Sequence, residues 1–311
     1  MPKRPRKSSQ ATKCGANGVA RAKKVLADLE SRRRTRRGLA SNGLLIAEGD
    51  SWFDYPRHDV LEELEEKHGY DVVESLVHRG DTVEQMAYED GQLYKVAKRL
   101  LKEAKKLQDD DGNQLAPKAI LLSGGGNDIA GTGFQLLLNH KQSGLPVLND
   151  RVVRGLIDDR LDCAITSLIS SLTYLCEYIF KARVPILIHG YAHPVPDGRG
   201  FLGGGWGLPG PWLEPGFRQK GYGASRENPR ALAENTEVMK VLIDRFNAVL
   251  GRIARRPALR GHVRYVSVLD TLTNELQGGK YKRSWADELH PNESGFRKIA
   301  ARFDEELQKL P

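Results

Sequence analysis

From residue 43 onward, short apolar runs alternate with longer stretches of helical period. The runs are Leu44–Ala47, Val72–Val77, Ala119–Leu122, Val184–Ile188 and Val263–Leu269. Most lack alternating polar residues, as a strand buried on both faces of a parallel sheet requires. Between them, Leu161, Ile165, Leu168, Leu172, Leu175 and Ile179 repeat at helical spacing within 151–182. Met239, Leu242, Phe246, Leu250 and Ile253 do the same within 232–254. Strand–helix alternation with right-handed crossovers predicts a three-layer α/β/α domain.

One stretch breaks the rhythm. Residues 192–231 are rich in Gly, Pro and aromatics, and a long irregular segment in a compact domain is usually functional or disordered. Phe201, Trp206, Trp212, Phe217 and Tyr222 argue for order, because aromatics need something to pack on. The segment follows the fourth strand, so it is expected to form a cap over the substrate pocket. The competing expectation is a surface excursion that closes a small core of its own.

In a parallel sheet the ligand crevice lies beyond the carboxyl ends of the strands. Those exits read Glu48-Gly49-Asp50-Ser51, His78-Arg79-Gly80-Asp81, Ser123-Gly124-Gly125-Gly126-Asn127-Asp128 and His189-Gly190-Tyr191. Each passes from apolar to small and polar within one or two residues.

Composition adds little to this picture, but charge adds something. The chain has 311 residues, 40% of them apolar and 28% charged, as in an ordinary globular protein. Its net charge of +8 is uneven: residues 1–38 hold 13 Lys or Arg against Asp28 and Glu30. That leaves 35 basic and 38 acidic residues for the rest, a net of about −3. The organisation expected is a basic arm, residues 1–38, partly disordered or helical, and one domain over 39–311. Such an arm suits weak contact with nucleic acid or an anionic membrane. Cys14, Cys163 and Cys176 match no metal-ligand spacing, and the latter two sit among apolar residues, which predicts buried thiols. No apolar run approaches the ~20 residues of a membrane span, and no secretion signal is visible, so a cytoplasmic location is expected.

A hydrolytic serine needs a base, a group that orients the base, and donors for the oxyanion. Asp287 and His290 in Trp285-Ala286-Asp287-Glu288-Leu289-His290-Pro291 are three apart, so on one turn they share a face. Pro291 suits the first position of the helix that follows. Asn127, Gly80 and the N–H of Ser51 are candidate oxyanion donors. Neither a phosphate-binding loop nor the nucleophile elbow fits: Ser123–Asp128 lacks the required lysine and spacing, and Phe53 stands where the elbow needs glycine.

Taken together, these blocks resemble the SGNH hydrolases, or GDSL esterase/lipase family. The matches are Gly49-Asp50-Ser51, Gly80, Gly125-Gly126-Asn127-Asp128 and Asp287-Glu288-Leu289-His290-Pro291, spread over residues 43–308. The family's usual leucine after the serine is replaced by Trp52. The resemblance implies a flavodoxin-like fold with a five-stranded parallel sheet. It implies a serine esterase acting through an acyl-enzyme, with Ser51 as nucleophile, His290 as base and Asp287 orienting it. Ser51, Gly80 and Asn127 would bind the oxyanion, with no metal or cofactor. The partner expected is a small-molecule, lipid or carbohydrate ester, and Trp52, Tyr55, His193, Trp206 and Trp212 are the side chains expected to meet it. An alternative makes the basic arm the main functional element, a tether to nucleic acid or membrane. His193-Pro194 with Asp197 mimics the final block, His189 reads as a structural histidine, and His78 sits beside Gly80.

Overall fold

The computed structural model describes residues 41–311 apart from 57, 75, 109–111, 113, 132, 205–206 and 225–227. The basic arm, Cys14 and Trp206 therefore lie outside the described residues.

The body, Gly43–Pro311, is built on strands β1 (Leu44–Gly49), β2 (Asp71–Val73), β3 (Ala119–Ser123), β4 (Ile186–His189) and β5 (Val263–Val266). All four pairings are parallel and the order is β2-β1-β3-β4-β5. This is the flavodoxin-like order, whose chain reversal lies between β1 and β3. The register pairs Leu45 with Ala119 and Gly49 with Ser123, so these two strands end side by side. β3 and β4 are buried along their whole length, as their uninterrupted apolar runs demand.

The helices form two layers. Helix α1 (Val60–His68) packs against α8 (Glu293–Leu307) on one face. On the other lie α2 (Val83–Tyr88), α3 (Asp90–Ala104), the long α5 (Asp150–Phe180) and α7 (Pro229–Ala254). Short α4 (Gly126–Ile129) follows β3, and α6 (Glu214–Gln219) lies in the insert. Local signals set the helix ends. Asp59 caps α1 by accepting from Glu62 N at 2.9 Å, and Asn228 with Pro229 opens α7.

Several expectations need correcting. β2 stops at Val73, because the chain turns away to carry His78–Asp81; among the described residues of the remaining run, only Leu76 is buried. The first position of α8 is not Pro291: Asn292 is the N-cap and accepts from Gly295 N at 3.0 Å, while Pro291 bridges back to Trp285. Cys163 is exposed, since it falls on the side of α5 opposite the Leu161–Ile165–Leu168–Leu172 stripe, whereas Cys176 is buried. α5 is also long and apolar enough to cross a membrane by length and composition. Its apolar stripe is nevertheless committed to the domain, with Ile165, Ile169, Leu172 and Phe180 buried. Within α5, Arg154–Leu161 is wound as a π-helix.

Candidate active site

The centre begins with Asp50, which leaves β1 fully buried yet is richly hydrogen-bonded. Trp52 N donates to its Oδ1 at 3.1 Å, Ser123 Oγ to Oδ1 at 2.6 Å and Tyr191 Oη to Oδ2 at 2.5 Å. His189 Nε2 lies 2.7 Å from Ser123 Oγ and its Nδ1 lies 2.5 Å from Gly190 O. Burial holds His189 below the usual imidazole range, so the ring is neutral near pH 7. One carboxylate thus joins the ends of β1, β3 and β4, and the turn it fixes presents Ser51.

Ser51 Oγ lies 2.8 Å from His290 Nε2. On the far side of the imidazole, Nδ1 lies 2.9 and 3.0 Å from the two oxygens of Asp287. Asp287 also accepts from Leu289 N at 2.9 Å, His290 N at 2.8 Å and Tyr55 Oη at 3.0 Å. Burial alone pushes this acid up, but the His290 contact and the two backbone N–H donors outweigh it and hold the carboxyl below its usual range. The loop closes on itself through Ala286 N donating to His290 O at 2.9 Å. Asp287 and His290 therefore meet in a tight turn outside any helix.

Aromatic rings enclose His290. Tyr55 stacks on His290 at 4.5 Å and 26°, and Trp212 meets it edge-on at 5.2 Å and 74°. Trp52 is buried against His189 and Tyr191, and its indole Nε1 donates to Leu289 O at 3.0 Å. The residue after the serine is thereby bonded to the residue before the histidine. Sequence reasoning assigned Trp52 and Tyr55 to substrate alone, and only the fold shows their bonds to the 287–290 turn.

Opposite the histidine, Asn127 opens the first turn of α4 and donates from Nδ2 to Asp81 O at 3.0 Å. Asp128 accepts from Val83 N at 2.9 Å, and burial raises its carboxyl to about 6. Gly80 is exposed on the intervening loop with φ 91°, a conformation that favours glycine. That loop is tied to the serine turn: His78 N donates to Gly49 O at 3.0 Å, and Arg79 donates to Asp54 from Nε at 3.0 Å and Nη2 at 3.1 Å. His78 itself points outward beside Asp81.

Ser51, Asn127 and His290 open onto a common cleft. Its apolar walls are Ile129 and Ala130 after β3, Ala192 and Pro194 from the insert, and Met239 and Ile243 from α7. Gly80 does not line this cleft. His193 turns away from it and pairs with Asp244 of α7 at 2.7 Å. The insert does two things at once. Phe201 and Trp212 reach the centre through Tyr55 and His290, while Phe217 packs with Phe134 and Tyr222 as part of the domain's main core, not a core of the insert's own. Among the described residues, no group of three or more His, Cys, Asp or Glu side chains is arranged to hold a metal ion.

No family model matches the chain, and no curated protein matches it. Among solved structures it is similar to TesA, with 17% identity over 86% of this chain and 98% of that one, at a TM-score of 0.41. It is similar to a GDSL-like lipase from Bacteroides thetaiotaomicron, with 11% identity, 90% and 97% coverage and a TM-score of 0.39. It is also similar to a catalytic mutant of Axe2, an acetylxylan esterase from Geobacillus stearothermophilus, with 15% identity, 86% and 95% coverage and a TM-score of 0.45. What the site can do follows from its own geometry.

Proposed function

We propose that this chain is an SGNH-type serine hydrolase that cleaves carboxylic esters through an acyl-enzyme. The observation that carries the reading is the line from Ser51 Oγ through His290 to Asp287, at 2.8 and 2.9 Å, standing where β1 and β3 end. Ser51 attacks the ester carbonyl as its proton passes to His290 Nε2. Asp287 holds the other nitrogen and balances the imidazolium charge. The oxyanion is received by Asn127 Nδ2 and the Ser51 N–H, the two expected donors that line the cleft; losing one such donor costs about 3 kcal/mol of transition-state stabilisation. Collapse of the tetrahedral centre expels the alcohol, which takes the proton from Nε2. Water, activated by the same imidazole, then releases the carboxylic acid and restores Ser51.

The apolar walls fit a hydrocarbon acyl group. The test is covalent labelling with a fluorophosphonate, followed by peptide mapping. Modification of Ser51, lost in Ser51→Ala, supports the reading. A folded protein that neither reacts at Ser51 nor hydrolyses any aryl ester would overturn it.

A further inference from the structure

The turn that carries Asp287 and His290 holds a second acid, Glu288, to which the reaction gives no task. It is fully buried, and its partners come from two separate parts of the insert. Gly198 N and Glu214 N donate to Oε1 at 2.8 and 3.1 Å, while Trp212 N and Leu213 N donate to Oε2 at 2.7 and 2.8 Å. Its own N–H donates to Arg199 O at 3.2 Å. Burial pushes the carboxyl up to about 7, against the pull of the four N–H groups. A neighbouring latch repeats the pattern. Arg199 Nη1 donates to Trp285 O at 3.0 Å and Ala286 O at 2.8 Å, and Asp197 accepts from Tyr281 Oη at 2.8 Å.

We propose that Glu288 is a positioning residue: it locks Gly198 and Trp212–Glu214 onto the 285–290 turn, fixing Trp212 against the His290 ring and making these two parts of the insert a rigid wall. Each carboxylate oxygen accepts two N–H groups, a pattern only a carboxylate satisfies. A glutamine would turn its NH2 toward one pair of donors and lose that half of the latch. An aspartate keeps the charge but is one methylene short, so it reaches only part of the cage. Trp212 links the latch to chemistry, because its N–H bonds Glu288 while its indole edge meets the base.

The kinetic half of this proposal rests on the esterase reading; the structural half does not. The experiment compares full-length wild type, Glu288→Gln, Glu288→Asp and Trp212→Leu by amide hydrogen exchange and by kcat and KM on aryl esters of increasing acyl length. In Glu288→Gln, the amides of 198 and 212–214 should exchange at least tenfold faster while those of β1 and β3 keep their rates. Its kcat should fall about tenfold, KM should rise, and the preference among acyl lengths should flatten. Glu288→Asp should recover part of each. Trp212→Leu should lose kcat several-fold with the latch amides still protected, which keeps the idea testable if the glutamine variant fails to fold. Unchanged exchange at the four amides, an equal acceleration across the whole protein, or wild-type kinetics despite a released insert would each overturn the proposal. A wild type inert to every ester would instead sink the esterase reading, and the exchange data would still decide whether Glu288 holds the insert.

Discussion

Replacing Trp52 with phenylalanine isolates one bond. The ring stays apolar and large enough to keep most contacts with His189 and Tyr191, but the Nε1–H that bonds Leu289 O at 3.0 Å is gone. The net loss of a hydrogen bond is about 1 kcal/mol, and leaving a half-buried carbonyl unpaired adds about 1 more. Stability should therefore fall by roughly 2 kcal/mol, read by urea unfolding. The rate effect has a different origin. Ser51–Trp52 and Leu289–His290 form two short arms joined by this bond, so its removal loosens the 2.8 Å approach of Oγ to Nε2. A misplacement of about 1 Å costs on the order of a hundredfold, so a partial loosening should lower kcat about tenfold. Trp52→Leu, which restores the usual residue of the resembling family, also removes aromatic packing and should destabilise by about 3–4 kcal/mol. If Trp52→Phe loses stability as stated but keeps kcat within twofold, the tryptophan is only a core residue and the positioning argument fails.

Other variants probe the remaining parts. Ser51→Ala and His290→Ala should each abolish aryl ester hydrolysis, whereas Asp287→Ala should retain a measurable fraction; full activity in either of the first two contradicts the mechanism. Glu48, buried at the end of β1 beside Gln92, is pushed by burial up to about 8 from 4.5, so the folded protein holds a proton that the unfolded chain releases. Stability from this group is therefore lost as pH rises between about 4.5 and 8, by on the order of 4 kcal/mol, and Glu48→Gln should flatten that slope in urea titrations. Gly125 has φ 109° and a Cβ there would lie 2.2 Å from Phe246, which is fully buried, so Gly125→Ala should cost about 2–4 kcal/mol in thermal unfolding. Ile243→Trp should narrow the cleft and shift the acyl preference toward acetate in a chain-length series, with turnover of the shortest ester retained.

Much of the fold was legible because parallel strands leave a strong mark: an apolar run that ends in glycine. The mark misled at β2, where Leu76 is apolar for reasons of loop packing, and a linear pattern does not separate a buried loop from a strand. Asp287 and His290 were legible because they are three residues apart and meet locally. The bond from Trp52 to Leu289 spans 237 positions, and the cage around Glu288 spans 74 to 90, so no local pattern announces either. His193 shows the converse, since its His-Pro spacing imitates the Asp287–Pro291 block while the fold turns the ring to Asp244. The exposed Cys163 was misread for a simpler reason: neighbours in sequence on a helix face different ways.

The buried Asp50 divides labour within the chain. By gathering Ser123, Tyr191 and the turn at Trp52 onto one carboxylate, it makes the placement of Ser51 a property of the sheet. Part of the cleft wall comes instead from Met239 and Ile243 of α7 and Ala192 and Pro194 of the insert. If the proposed esterase reading holds, substitutions at Ala192 and Pro194 of the insert can alter what the protein accepts without disturbing how Ser51 is aimed, provided the Trp212 ring and the backbone donors that face Glu288 are kept. In that reading, substrate range and the aim of Ser51 are separately heritable traits of a single domain.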